Sequence, residues 1–425
     1  MNLSPVILSI PIYFVLIGIE LLVERWQHVD RYRFPDAVTN ISCGIGQQVT
    51  GLFLKVFGIG IYAWIQANFA FFAPPDTWWT FVLLFFAYDL CYYWAHRLSH
   101  EINLLWSGHV VHHQSEDYNL SVALRQSWFQ GVFTFYVYLP LALIGFSPES
   151  LVYVSGLNLL YQFWIHTETV GKLGWLEYVM NTPSHHRVHH GRNPEYIDKN
   201  YAGVFIIWDK FFGTYEPEIA APVYGITTPV RSWNPVWANF SHYGTIWQQV
   251  QQTPGLSDKL RVVFYKPGWR PASLGGPIPI PEVQRPDYQK FDTSGPVAVN
   301  YYVFVQYVII LIGTAIYLFG QNAMPFPLKL AGAFWIGAGI LAGGGLFEQK
   351  RWALGLEAFR LLASAPMLGY LLLSSPATVE FHLPAFASLT LWVLGSLLWL
   401  RHVWILSRSP APVAPEMANQ VPDLG

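Results

Sequence analysis

The sequence predicts an all-α integral membrane protein with about nine transmembrane helices and a histidine-rich cap on the cytosolic side. Three observations carry this reading. Of the 425 residues, 53% are hydrophobic and 12% charged, where soluble domains carry roughly 25% charge. The apolar residues come in blocks close to the ~20 residues a bilayer core requires. Once those blocks are threaded through a membrane, the basic residues segregate to one side.

The apolar runs are 4–23, 41–65, 78–95, 127–146, 149–166, 301–319, 329–346, 353–374 and 385–406. The second contains Gln47, Gln48 and Lys55, so it reads as either a re-entrant hairpin or a helix facing the bundle. With the N-terminus outside, the inside segments are 24–40, 96–126, 167–300, 347–352 and the tail. Every Lys and Arg except Lys55, Lys329 and Arg360 then falls in or beside an inside segment, as the positive-inside rule expects. The clustered histidines fall there too, which places a multi-pass protein's active site at the cytoplasmic face. The opening "MNLSPVILSI" has no basic lead and no small-residue cleavage site, so it reads as a retained span. A net charge of -2 argues against nucleic acid as a partner. Cys43 and Cys91 both lie in apolar runs and offer neither a disulfide framework nor a zinc-finger spacing.

Five regions follow. Residues 1–77 hold the N-terminal membrane helices, and 78–216 the histidine-bearing core. Residues 217–300 turn rich in Pro and Gly, as in "YKPGWRPASLGGPIPIPEVQRP", and read as an irregular cytosolic cover. Residues 301–406 hold four C-terminal spans, in which "LAGGGLF" allows close helix packing and leaves room for a dimer. Residues 407–425 have the composition of a disordered tail.

Eight of the 14 histidines form three boxes: His96 and His100; His109, His112 and His113; His186, His189 and His190. In a helix, positions i, i+3 and i+4 share a face, so each box is expected to aim its rings at one point. One buried histidine is ordinarily a hydrogen-bonded packing residue. Eight together repel when protonated and are costly to bury unless something uses their lone pairs, and a metal does. Eight nitrogens exceed the needs of one ion. Two ions with about four imidazoles each would leave positions open for water or oxygen. Imidazole suits iron, zinc and copper alike, so ligand type leaves the ion open.

The pattern H-x3-H, H-x2-HH, H-x2-HH resembles the membrane-bound fatty acid hydroxylase and sterol desaturase superfamily. The stretches "YYWAHRLSHEINLLWSGHVVHHQSEDYNLSVALRQS" and "NTPSHHRVHHGRNPEYIDKNYAGVFIIWDKFFGTYE" are similar to its alkylglycerol monooxygenase-like branch, densely so from about 80 to 216. The resemblance implies a non-haem di-iron lipid monooxygenase that draws its substrate from the bilayer and uses O2. With an ether lipid, hydroxylation beside the ether oxygen gives a hemiacetal that collapses to a fatty aldehyde and a glycerol derivative. It implies two iron ions, for which zinc can substitute on purification, and an external electron donor. That donor is tetrahydrobiopterin by resemblance, or else a small redox protein; the chain has no haem-attachment motif, iron–sulfur cysteine set or G-x-G-x-x-G of its own.

The resemblance also assigns activity to Glu101, as a hydrogen-bond acceptor for a ligand ring or a proton relay, and a ninth ligand to His166, between the second and third boxes. His185 is expected to point away from the other third-box rings. Asp117, Asn119, Asp198 and Asp209 are candidates to hydrogen-bond the ligands' free ring nitrogens. Arg187 and Arg192 are candidates to hold a phosphate or pterin. Three other readings stay open: a sterol or fatty-acyl hydroxylase or desaturase, a membrane zinc hydrolase and a metal transporter. The order His-x3-His-Glu is not the H-E-x-x-H of zinc proteases, and a transporter would place its ligands near the midplane.

Overall fold

A computed structural model describes residues 5–293, 295–374 and 382–408. The tail from Ser409, read above as disordered, lies outside the described residues. In chain order the helices are α1 (Pro5–Gln27), α2 (Phe34–Phe69), α3 (Trp78–Glu101), α4 (Asn103–Ser107), α5 (Val110–His113), α6 (Gln130–Thr134), α7 (Leu139–Ile144), α8 (Pro148–Trp164), α9 (Pro183–His190), α10 (Ile207–Phe212), α11 (Pro235–Gln252), α12 (Leu256–Phe264), α13 (Val297–Gly320), α14 (Phe326–Phe347), α15 (Arg351–Ser374) and α16 (His382–Arg408). Among the described residues there is no strand, only one isolated bridge between Met180 and Phe205. Among the described residues, four stretches are both long and apolar enough to cross a membrane: Phe34–Phe69, Val297–Ala323, Phe326–Phe347 and His382–Ser407.

The loose second run is one continuous helix of 36 residues, not a hairpin. It is the axis of the molecule. Val38, Ile45 and Val49 in its first half share a core with Tyr302, Val303, Ile310, Ile336 and Ile340 of α13 and α14. Tyr62 in its second half shares another with Leu84 and Tyr88 of α3, Leu141 of α7 and Val154 of α8. Gly46 lies under the Trp128 indole, where a Cβ would overlap the ring. The indole Nε1 donates to the Cys43 carbonyl at 3.1 Å.

The run 127–146 is not a single span. It breaks into α6, a 3-10 turn over Phe135–Tyr138, and α7. Pro140 is the physical reason: it sits in the first turn of α7 and has no N–H to continue an earlier helix. The broken stretch climbs along α2. Trp128 docks at Cys43 and Gly46, and the Leu143 carbonyl accepts from Phe71 N, just past the far end, at 2.7 Å. The segment read as irregular, 217–300, contains the helical pair α11–α12. Asn234 caps α11 by accepting from Val236 N and Trp237 N at 2.9 and 3.0 Å, and Pro235 occupies its first turn.

Among their described residues the C-terminal helices bury an ion pair. Arg360 is wholly inaccessible and reaches Glu357 through Nε at 2.8 Å and Nη2 at 2.7 Å. Gln306 accepts from Nη2 at 2.8 Å, and Tyr302 donates to Glu357 at 2.9 Å. A charge inside an apolar bundle is tolerated only when paired and hydrogen-bonded in this way.

Candidate metal centre

The segments that carry the histidines come from four places in the chain. His96 and His100 end α3, one turn apart. His109, His112 and His113 lie on and beside α5, and His166 follows the end of α8. The third box is on α9, which Pro183 starts and which a capping box between Thr182 and His185 holds.

The structure brings all nine predicted residues together, in two groups. His96, His100, His109, His113 and His189 form one; His112, His166, His186 and His190 form the other. Within each group one ring nitrogen from every residue lies within 4.8 Å of the rest. The expectation that each box aims at one point holds for the first box only. Neighbours such as His112 and His113 stand about 100° apart around a helix, so each H-x2-HH box serves both groups and ties them together.

Ring nitrogens face one another at short range. His109 Nε2 lies 2.9 Å from His96 Nε2 and 3.1 Å from His113 Nε2; His166 Nε2 lies 3.1 Å from His112 Nε2 and 2.9 Å from His186 Nε2. Four of the rings are held from behind. Nδ1 of His96, His112, His166 and His189 meets the carbonyls of Tyr201, Arg125, Gln162 and Lys199 at 2.7, 3.0, 2.7 and 3.0 Å. A carbonyl only accepts, so these Nδ1 atoms carry the proton and each Nε2 presents a lone pair. His100, His189 and His190 each have a buried Nε2 with no partner.

Facing lone pairs are unfavourable without a cation between them. Burial pushes His112 down to about 4. Burial first and then the neighbouring imidazoles hold His189 and His190 well below the usual histidine range. The rings are therefore neutral at pH 7, the form a metal binds. The separations also discriminate between geometries. Two nitrogens ~2.1 Å from one ion are ~3.0 Å apart at a right angle and ~3.4 Å apart at the tetrahedral angle. The observed 2.9–3.1 Å fits right-angled positions, and five nitrogens in one group exceed a tetrahedral site. The donor set fits two metal ions, one in each group.

The other candidates sit further out. Glu101 pairs with Arg97 at 3.1 Å on a partly exposed edge. His185 caps α9 and packs against Tyr215, outside both groups. Asp117 takes Arg33 and Lys290, Asp198 takes Lys266, and Asn119 donates to the Arg31 carbonyl. None of these hydrogen-bonds a clustered histidine; backbone carbonyls do that work instead. Asp209 acts one bond removed. It accepts from Tyr201 N at 2.7 Å and Ala202 N at 2.8 Å, which fixes the loop whose carbonyl holds His96. Arg125 was not singled out by the sequence. It binds the Val111 carbonyl, Asn40 and Gln114, while its own carbonyl holds His112. No sequence signal marks a residue that acts through its backbone.

Arg187 is committed to Glu218 through two bonds of 2.7 Å and to the Thr167 and Val170 carbonyls. With Arg31, Glu168, Glu218 and Arg285 it lines a cavity of about 440 Å³. Glu168 accepts from Tyr224 at 2.9 Å. Tyr224 stacks on Tyr118 at 4.6 Å, and the Tyr118 ring lies 5.2 Å from that of His190. Arg192 packs over the Tyr288 ring at 5.0 Å.

Comparison with known proteins bears on the same residues. Residues 81–214 match the fatty acid hydroxylase family. The chain is 45% identical to the alkylglycerol monooxygenase of Homo sapiens over 307 residues, which cover 71% of this chain and 68% of that protein. It is 38% identical to the alkylglycerol monooxygenase of Danio rerio over 394 residues, 90% of this chain and 87% of that one. It is 25% identical over 234 residues to the ornithine lipid hydroxylase OlsE of Rhizobium tropici, 52% of this chain and 71% of that one. No solved structure matches.

Proposed function

The chain belongs to the alkylglycerol monooxygenase family, and on that premise we propose that it is a membrane-bound di-iron monooxygenase that cleaves the ether bond of alkylglycerols. The observation that carries this is the pair of buried histidine groups, nine rings gathered from four segments with facing nitrogens 2.9–3.1 Å apart. Two irons held there would supply O2 activation at a C–H bond. The net reaction takes the ether, O2, two electrons and two protons to a hemiacetal and water. The hemiacetal C–O bond then breaks to give a fatty aldehyde and a free glycerol hydroxyl.

The chain's own residues bind, orient and shield. The Nε2 atoms are the ligands, and the carbonyls of Tyr201, Arg125, Gln162 and Lys199 fix four of the rings. Eight of the nine histidines are buried and His100 is nearly so, which keeps bulk water from the reacting centre. Glu101, beside His100 and partly exposed, carries protons from solvent. The centre faces the cytoplasm, and electrons arrive there from a reduced pterin or a small redox protein. The cavity at Glu168, joined to the second histidine group through Tyr224 and Tyr118, is the contact for that donor. The likeness to an ornithine lipid hydroxylase supports a second reading, hydroxylation of another membrane lipid without cleavage.

Product analysis tests the proposal. Iron-reconstituted protein in lipid vesicles with 1-O-alkylglycerol, labelled O2 and a reduced pterin should release a fatty aldehyde whose carbonyl, trapped before exchange, carries one labelled oxygen, the other leaving as water. Substrate-dependent turnover that needs zinc alone, or none with any ether lipid, overturns it.

A further inference from the structure

The helical pair α11–α12 carries two apolar stripes that stay largely exposed among the described residues. On α11, Trp237, Phe240 and Trp247 are 50%, 45% and 63% exposed, and their spacing of three and seven puts them on one face. On α12, Leu256, Leu260 and Phe264 are 74%, 50% and 54% exposed at strict four-residue spacing. Between these stripes and the protein the pair is firmly held. Asn103 donates through Nδ2 to the Val262 carbonyl at 2.8 Å and through its backbone N to the Tyr265 carbonyl at 2.9 Å, and its Oδ1 meets His242 at 2.8 Å. Gln114 donates to the Ala238 carbonyl at 3.0 Å.

Position decides what the stripes face. The chain enters α11 beside Gly344, near the end of α14, where a Cβ would overlap the Trp233 carbonyl. Thr39, near the start of α2, donates to that same carbonyl at 3.2 Å. The pair then reaches Asn103, just past the end of α3. It therefore bridges the ends of three long helices, α2, α3 and α14, on the histidine side, which makes it lie across them. Its aromatic edge meets the stretch that climbs α2: Phe240 lies 5.5 Å from Phe129 and Tyr243 lies 6.3 Å from Phe133. The exposed stripes thus continue the apolar flank of the membrane-crossing part.

Charge agrees. α11 has no Asp, Glu, Lys or Arg, while 256–270 carries Lys259, Arg261, Lys266 and Arg270 against Asp258 alone. Arg261 pairs with Asp258 and Lys266 with Asp198. A helix with an apolar stripe and a basic flank lies in the headgroup plane and favours anionic lipid.

We propose that α11–α12 is an in-plane membrane anchor, its Trp237–Trp247 and Leu256–Phe264 stripes seated in the leaflet next to the histidine centre and its basic flank on anionic headgroups. Because Asn103 and Gln114 tie the pair to the 102–114 segment that carries the second box, the bilayer surface is one wall of the approach to that segment. The inference rests on exposure, placement and charge, and stands whatever reaction the centre performs.

Site-directed spin labelling of the full chain in lipid nanodiscs tests it. Leu256→Cys, Leu260→Cys and Phe264→Cys are labelled in a Cys91→Ala background, with Glu282→Cys, exposed in the loop beyond the pair, as the solvent-side control. The three stripe positions should collide with O2 several-fold more readily than with a water-soluble nickel chelate, and position 282 should show the reverse. Adding phosphatidylglycerol to phosphatidylcholine discs should deepen the stripe positions, and Lys259→Glu with Arg261→Glu should remove that response. Chelate access at 256, 260 and 264 equal to that at 282 overturns the proposal. So does exclusion of both reagents with spin–spin broadening, which would show a second copy seated on the stripes.

Discussion

Asp209 touches no clustered histidine, yet replacing it should loosen one metal group and spare the other. Its two carboxylate oxygens accept from Tyr201 N and Ala202 N at 2.7 and 2.8 Å, and Thr214 donates to it at 2.7 Å. In Asp209→Asn one of these oxygens becomes an NH2 that confronts a backbone N–H. The loss is one hydrogen bond to a charged acceptor in a buried site, about 1.5–3 kcal/mol. The Tyr201 carbonyl, 2.7 Å from His96 Nδ1, is the next atom in the chain of support. If the loop yields there, the loss is expressed as metal affinity, and 1.4 kcal/mol per tenfold gives roughly 10- to 100-fold. Only the five-histidine group contains His96. Metal titration of chelated protein should then show one weakened site and one unchanged. Thermal unfolding of the metal-free protein should fall as well, because the two N–H donors are buried in both forms. Two unweakened sites in Asp209→Asn, or equal weakening of both, would refute the claim that this carboxylate supports His96 through the backbone.

Other outcomes follow from the same geometry. His113→Ala and His112→Ala remove neighbouring residues but strike different groups, so each should cost bound metal and abolish turnover, and metal spectroscopy should find different residual environments in the two. In the metal-free protein the buried rings titrate below the ordinary 6.5, with His112 at about 4. The unfolded chain therefore binds more protons, and the stability these neutral rings allow is complete above pH ~6.5 and is lost progressively as pH falls below it. His112 alone contributes about 3 kcal/mol to that loss between pH ~6.5 and about 4, and calorimetry with and without metal should show bound metal shifting it. Arg360→Met strands Glu357 and should cost about 3–5 kcal/mol, while Glu357→Met with Arg360→Met should recover most of it; unfolding in detergent reads the difference.

Much of the site was legible because its chemistry is written in side chains at helical spacing. His96 and His100 are one turn apart, and no bland role absorbs three boxes. His166 came from resemblance alone, and the structure brings it into the four-histidine group. The division of each H-x2-HH box between two groups follows from the angle between adjacent helix positions, but which neighbour serves which group depends on how α5 and α9 dock. The supporting layer was not legible. Backbone carbonyls such as those of Tyr201, Lys199, Gln162 and Arg125 are common to every sequence and carry no signal, whereas Asp117 and Asp198 look like ring acceptors but hold basic residues instead. The broken run 127–146 carried its signal in Pro140, outweighed by the apolar count. α11 was hidden by the Pro and Gly around it, although Asn234-Pro235 is a helix start and Pro254-Gly255 a stop.

α2 also serves as a ruler. Its Asn40 is bonded to Arg125 beside the second histidine group, and the helix runs on to Phe69. Those 29 steps rise about 44 Å, or about 41 Å at a typical ~20° tilt, against a hydrocarbon core of ~30 Å. With Phe69 set at the far edge of the hydrocarbon, the histidine groups would stand on the order of 10 Å outside the near edge. On the proposed function, a lipid would then present to them the bonds next to its polar end while its tail stays behind in the bilayer, which would favour chemistry near the glycerol over the methyl end of the chain.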